Sequence, residues 1–135
     1  IQGFMGIWDS VFGSTKEENG NRREPVNWVK LISSEELKAL IEASYSLPQL
    51  IFKHSMTCGI SGMTKRRFEA GAGSFADRYG FHLLVVQKNR QLSAQIEAEF
   101  QVRHESPQLL IVKEGAVIAH ASHWQIDSLD LGDYQ

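Results

Sequence analysis

The chain carries one cysteine, Cys58, within Phe52-Lys53-His54-Ser55-Met56-Thr57-Cys58-Gly59-Ile60-Ser61. An apolar strand ends at about His54, Ser55 to Thr57 have turn composition, and a helical pattern starts at about Cys58. A thiol at such a strand-to-helix turn faces unpaired backbone N–H groups and the positive end of the helix dipole. Both favour thiolate, the reactive form. Lys53, Lys65 and Arg66 can add positive potential. A lone cysteine is more often a small buried hydrophobe, but a turn flanked by Thr57 and Gly59 points to a reactive one. Ser61 stands three residues on, where a CxxC pair has its resolving thiol. Its hydroxyl can hydrogen-bond a thiolate, or helix backbone, but it cannot form a disulfide. The chemistry is therefore monothiol: Cys58 accepts one thiol adduct, and a second, external thiol releases it.

Pro107 follows His104-Glu105-Ser106 and precedes the apolar run Gln108 to Val112, where a missing N–H suits the first strand position. A cis Ser106–Pro107 bond would turn the backbone toward the Cys58 loop and leave backbone groups free to hold an extended substrate. Cis occurs in only about 5–6% of X–Pro bonds, so the local sequence alone does not require it. His54, His104, His120 and His123 are scattered. His120 and His123 sit with Trp124 at the end of a hairpin, and one can serve in acid–base chemistry, although such histidines are more often structural or solvated. Lys65-Arg66-Arg67 reads as a solvated helix face that can also attract an anionic thiol. No CxxC or HxxxH spacing supports structural zinc.

The elements that must position these groups follow from the hydrophobic pattern. Trp28 to Ile32 reads as a strand. Ser33 or Ser34 then caps a helix that has Leu37, Leu40, Ile41 and Tyr45 on one face. Gln49 to His54 is a second strand. A helix from about Cys58 carries Ile60, Thr64 and Phe68 and breaks at Gly71 and Gly73. Phe81 to Val86 suits a strand buried on both faces, and Leu92, Ile96 and Phe100 mark a third helix. Leu109 to Val112 and Ala116 to His120 flank Glu114-Gly115 as a hairpin, and Gln125 to Leu131 reads as a closing helix. The order βαβαβαββα predicts an α/β, thioredoxin-like fold: a central mixed sheet flanked by helices.

The 135 residues suit one core. Residues 26–135 form the predicted domain, and residues 1–25 a short helix, with Ile7, Trp8, Val11 and Phe12 at helical spacing, followed by a polar linker. Met5 looks like the natural start, which leaves Ile1 to Phe4 outside the fold reasoning. A net charge of −2 argues against a nucleic-acid partner. The longest apolar runs, Leu50–Phe52 and Phe81–Val86, are strand-sized, so no membrane partner is expected. One cysteine excludes an internal disulfide, and with no signal peptide apparent a reducing cytoplasm is the expected location.

The stretch Phe52 to Ser61 resembles the signature of the YtxJ-like monothiol bacilliredoxins, in which a strand ending Phe-Lys-His-Ser leads into Thr-Cys-x-Ile-Ser. His104-Glu105-Ser106-Pro107-Gln108, Ser122-His123-Trp124-Gln125-Ile126 and Trp28 ahead of the Ser-x-Glu-x-Leu helix start resemble it too. The resemblance spans roughly Asn27 to Ile126. It implies removal of the low-molecular-weight thiol bacillithiol from protein mixed disulfides, with bacillithiol as co-substrate and no resident cofactor. It also implies Cys58 as the reactive cysteine and Pro107 as a cis-proline. The expected catalytic set is Cys58, Ser61 and Thr57, and the expected substrate-binding set is Ser106, Pro107, Lys53 and Gly59. Partners are then the small thiol and thiol-modified client proteins, with the chain a monomer or weak dimer. Gly59 departs from the Pro or Ser that family members often carry. Cys58-Gly59-Ile60-Ser61 also resembles the Cys-Gly-Phe-Ser motif of monothiol glutaredoxins, which implies the alternative of an iron–sulfur cluster carrier using glutathione. Against it, Ala121-Ser122-His123-Trp124 replaces the Gly-Gly-Asp-like turn that binds glutathione there. A non-catalytic thioredoxin-like interaction module is the third reading, and a buried Cys58 would favour it.

Overall fold

In a computed structural model the described residues are 26–135, so the expected N-terminal helix and linker lie outside them. The elements are β1 (Val29–Lys30), α1 (Ser34–Ala43), β2 (Gln49–His54), α2 (Gly59–Ala72), β3 (Gly80–Val85), α3 (Arg90–Phe100), β4 (Gln108–Lys113) and β5 (Ala116–Ser122). They form a five-stranded sheet of order β1-β3-β2-β4-β5. β1, β3 and β2 run parallel, β4 is antiparallel to β2, and β5 is antiparallel to β4.

Strand alternation divides the core into two layers. Leu50 and Phe52 of β2, with Leu109 and Ile111 of β4, face Phe68 and Ala72 of α2. Ile51, Leu110 and Val112 point the other way, against Leu37 and Leu40 of α1 and Leu92 and Ile96 of α3. Trp28 closes the first layer, with its ring edge-on to Phe52 and Phe81 at 5.9 Å each. Local signals agree with these placements. Ser33 caps α1 by accepting from the Glu36 N–H at 3.1 Å, while Glu36 Oε1 accepts from the Ile32 N–H at 2.8 Å. Such a cap contributes about 1 kcal/mol. The hairpin turn Glu114-Gly115 has positive φ at both residues, 52° and 82°, as a two-residue hairpin requires.

Several elements differ from the sequence expectation. β1 keeps only Val29–Lys30 of the run 28–32, and both residues are exposed. β3 buries Phe81 in the first layer and Leu84 in the second, so both of its faces are covered, but its other residues are only half-buried, because its outer neighbour pairs with it over two residues only. On α2 the buried face is Ser61, Thr64, Phe68 and Ala72, so Ile60 points outward, and the helix passes through Gly71 to end at Gly73. Tyr45 lies beyond α1 and is exposed. The closing helix is replaced by short 3-10 turns at His123–Ser128 and Leu131–Asp133. Only Ile126 and Leu131 of that tail are buried, too few for a continuous apolar helix face.

Candidate functional site

The carboxyl ends of β2, β3 and β5 and the start of β4 meet at one edge of the sheet. That edge is where open α/β sheets place their sites. Cys58, four residues beyond β2, is the N-cap of α2 with extended backbone, φ −107° and ψ 116°. Its thiol is free and half-buried, and no side-chain capping bond occupies it. Gly59 is the first residue of α2, and nothing lies within 4 Å of where a Cβ would stand there. The first turn of α2 therefore presents open backbone to an incoming group.

Ser61 is fully buried. Its Oγ accepts from the Ser55 N–H at 3.0 Å and lies 2.8 Å from His54 Nδ1. Ser61 thus ties the first turn of α2 to the end of β2, and this bonding holds the Cys58 turn in place. Burial and the nearby Lys65 ammonium hold His54 below its ordinary value, against a smaller opposing pull from Glu69. At neutral pH the ring is uncharged, and the arrangement that uses every hydrogen has Ser61 donating to Nδ1.

Thr57 is exposed. Gln87, just past β3, holds the Cys58 turn from the other side. Its Oε1 accepts from the Met56 N–H at 3.1 Å, and its Nε2 donates to Ser55 Oγ at 2.8 Å and Thr57 Oγ1 at 3.1 Å. The sequence reading passed over Gln87. The only available signal was a polar residue directly after a strand that ends at the site edge.

The Ser106–Pro107 peptide is cis, as the family resemblance implied. In the antiparallel register Lys53 pairs with Gln108, so the next step sets Pro107 beside His54, at the base of the Cys58 turn. The Pro107 carbonyl accepts from the His123 N–H at 2.9 Å, which joins the end of β5 to the same edge. His123 holds positive φ, 55°. The Ser106 hydroxyl is buried and has no partner among the described residues.

Charge placement differs from the sequence expectation. Lys53 is fully buried and faces away from α2, with Nζ 3.2 Å from His104 Nδ1, so it does not reach the surface where a substrate would sit. Strand alternation is the reason: Phe52 and His54 take the α2 face, so Lys53 takes the other. Lys65 binds Glu69 at 2.6 Å and lies over the Trp28 ring. Burial alone would raise the Glu69 carboxyl, but hydrogen bonds from Lys65 and from Trp28 Nε1 hold it below the usual range. Arg67 pairs with Asp127 at 3.3 Å. Met56 and Ile60, each two residues from Cys58, are exposed, as are Met63 on the next turn of α2 and Trp124. Arg66 reaches back along α2, with its guanidinium 3.6 Å from where a Cβ would stand at Gly62, so of the three expected cations it is the one on the first turn without a described ion pair.

Solved structures share the fold. A thioredoxin-fold protein assigned as an oxidoreductase matches at TM-score 0.68 and 28% identity, over 78% of this chain and 90% of that one. Thioredoxin from Trypanosoma brucei brucei matches at TM-score 0.64 and 17% identity, over 80% and 88%. Mitochondrial thioredoxin 3 from Saccharomyces cerevisiae matches at 0.63 and 17%, over 78% and 92%. The fold and the helix-capping cysteine define a thioredoxin-like protein of thiol redox chemistry. Residues 29–131 match the family described as monothiol bacilliredoxin BrxC, and the chain belongs to that family.

Proposed function

We propose that the protein removes bacillithiol from client-protein mixed disulfides through Cys58. The observation that carries the proposal is a half-exposed cysteine at the cap of α2 whose CxxC partner position holds a buried, hydrogen-bonded serine. The Cys58 thiolate attacks the small-thiol sulfur of the mixed disulfide. That S–S bond breaks, a Cys58–S–S–bacillithiol bond forms, and the client leaves as thiolate and takes up a proton. A second bacillithiol, or a reductase thiol, then attacks the bacillithiol sulfur of the adduct; Cys58 leaves as thiolate, and the new disulfide joins the attacking thiol to the bacillithiol that Cys58 carried. Turnover therefore depends on the concentration of free small thiol.

The exposed Met56, Ile60, Met63 and Trp124 suit protein clients, since apolar and sulfur-containing side chains adapt to varied surfaces. The reaction belongs in a reducing cytoplasm, where one cysteine stays free between cycles. Among the described residues no helix is long and apolar enough to cross a membrane.

The test mixes reduced protein with a client that carries bacillithiol on a known cysteine and follows both intact masses. The client should lose the adduct while this chain gains it at Cys58, and Cys58→Ser should do neither. A client that stays modified, while a glutathione-carrying client is cleared, overturns the assignment in favour of a glutaredoxin-type one.

A further inference from the structure

The segments Phe52–His54 and His104–Pro107 stand about fifty residues apart and meet through one side-chain bond, Lys53 Nζ to His104 Nδ1 at 3.2 Å. Lys53 is fully buried in the layer between the sheet and α3. Among the described residues no carboxylate lies within ion-pairing distance of it. A buried ammonium with one neutral partner is costly. Burial pushes Lys53 down to about 8, against an opposing pull from Glu97. Stability alone does not account for a lysine here, because an apolar side chain of similar volume would fill the space at lower cost.

The ammonium only donates, so His104 Nδ1 accepts, and the ring proton sits on Nε2. The His104 N–H donates to Glu97 Oε2 at 3.2 Å. The loop is thus tied to α3 by its backbone and to β2 by its ring. Among the described bonds, Lys53–His104 is the one side-chain link between this loop and β2. Three residues further on, Pro107 stands beside the base of the Cys58 turn.

We propose that Lys53 and His104 are positioning residues: their hydrogen bond latches the 104–107 loop to β2 and so sets the client-docking side of the Cys58 site, and protonation of His104 opens the latch. The proposal rests on the thiol–disulfide function given above. A proton on Nδ1 turns the acceptor into a donor facing an ammonium, so the bond is lost and two positive charges stand 3.2 Å apart. The charged groups facing His104 are Lys53 from β2, Glu97 and Arg90 from α3, and Glu105 of its own loop. Burial first and Lys53 second oppose its protonation, while the two carboxylates favour it. A cavity of about 210 Å³ beside His104, lined by Arg90, Ser93 and Glu97 among others, gives the displaced ring room to swing.

The experiment measures KM and kcat for adduct transfer from a bacillithiol-carrying client at about pH 7.5 and about pH 5.5. The wild type should show KM rising roughly threefold or more on acidification. His104→Asn, whose side-chain oxygen keeps an acceptor near the Nδ1 position but does not titrate, should lose that pH dependence. Lys53→Met should have a raised KM at both pH values, with the alkylation rate of Cys58 by iodoacetamide following the wild type. An unchanged acid rise in His104→Asn, or a wild-type KM in Lys53→Met, overturns the latch. Nitrogen NMR of the wild-type ring is the second measurement and needs no variant: Nδ1 unprotonated and hydrogen-bonded at about pH 7.5 supports the proposal, and an Nδ1–H tautomer overturns it. If the wild type transfers no adduct from any client, the functional reading fails, and the ring tautomer still decides the latch.

Discussion

Replacing Ser61 by alanine separates a hydroxyl that stabilises the thiolate from one that holds the active-site turn. Ser61 Oγ is fully buried, accepts from the Ser55 N–H and pairs with His54 Nδ1. Ser55 is itself buried, so after Ser61→Ala its N–H has neither water nor a partner, which costs about 1–3 kcal/mol. His54 is half-buried and can turn to solvent, so its loss is the net value of one hydrogen bond, about 1 kcal/mol. The sum is about 3 kcal/mol, which for a domain of this size lowers the melting temperature by roughly 10–15 °C. The assay is a thermal melt followed by circular dichroism, run beside the rate of Cys58 alkylation well below the melting temperature. The described bonds of Ser61 run to the end of β2 and not to Cys58, so stability should fall far more than alkylation slows. A melting temperature within about 2 °C of wild type, with alkylation slowed tenfold, would refute this reasoning and return Ser61 to the thiolate.

Other perturbations have equally definite outcomes. Gln87→Ala releases the Met56 N–H and the Ser55 and Thr57 hydroxyls; hydrogen exchange at residues 55–58 should rise, with a stability loss of about 1 kcal/mol. The Glu69 carboxyl is held low in the fold, so its contribution is present above the unfolded value of 4.5 and is lost as pH falls through the lower folded value. Glu69→Gln should therefore flatten the acid limb of the stability curve below about pH 4.5. Burial holds His54, His82 and His104 below 6.5, so the unfolded chain takes up protons first and stability should fall as pH drops below 6.5; His82→Asn should reduce that slope in melts at about pH 7.5 and 5.5. With one thiol, the protein should leave the disulfides of insulin unreduced in a turbidity assay that a two-cysteine thioredoxin passes.

The fold was legible because several local signals agreed. The Ser33 cap, the turn at Glu114-Gly115 and the alternating cores of β2 and β4 each pointed to the same element order. The closing helix failed for the opposite reason: periodicity in Gln125 to Leu131 rests on two buried residues, and tertiary packing resolves them into 3-10 turns. At the site, Cys58 and the Ser106–Pro107 bond could be named from motifs, whereas the partners of Ser61 and the reach of Gln87 depend on which chain ends the sheet brings to one edge. Lys53 is different, because its placement could have been read. Leu50 and Phe52 are apolar and belong to the face that packs on α2, so period 2 assigns Lys53 to the face of Ile51, away from the thiol. A charge near a cysteine in sequence adds positive potential at the sulfur only when strand parity puts both on one side. Here parity puts the cation behind the sheet. What it can act on there is the His104 ring, and through that ring the loop that carries Pro107.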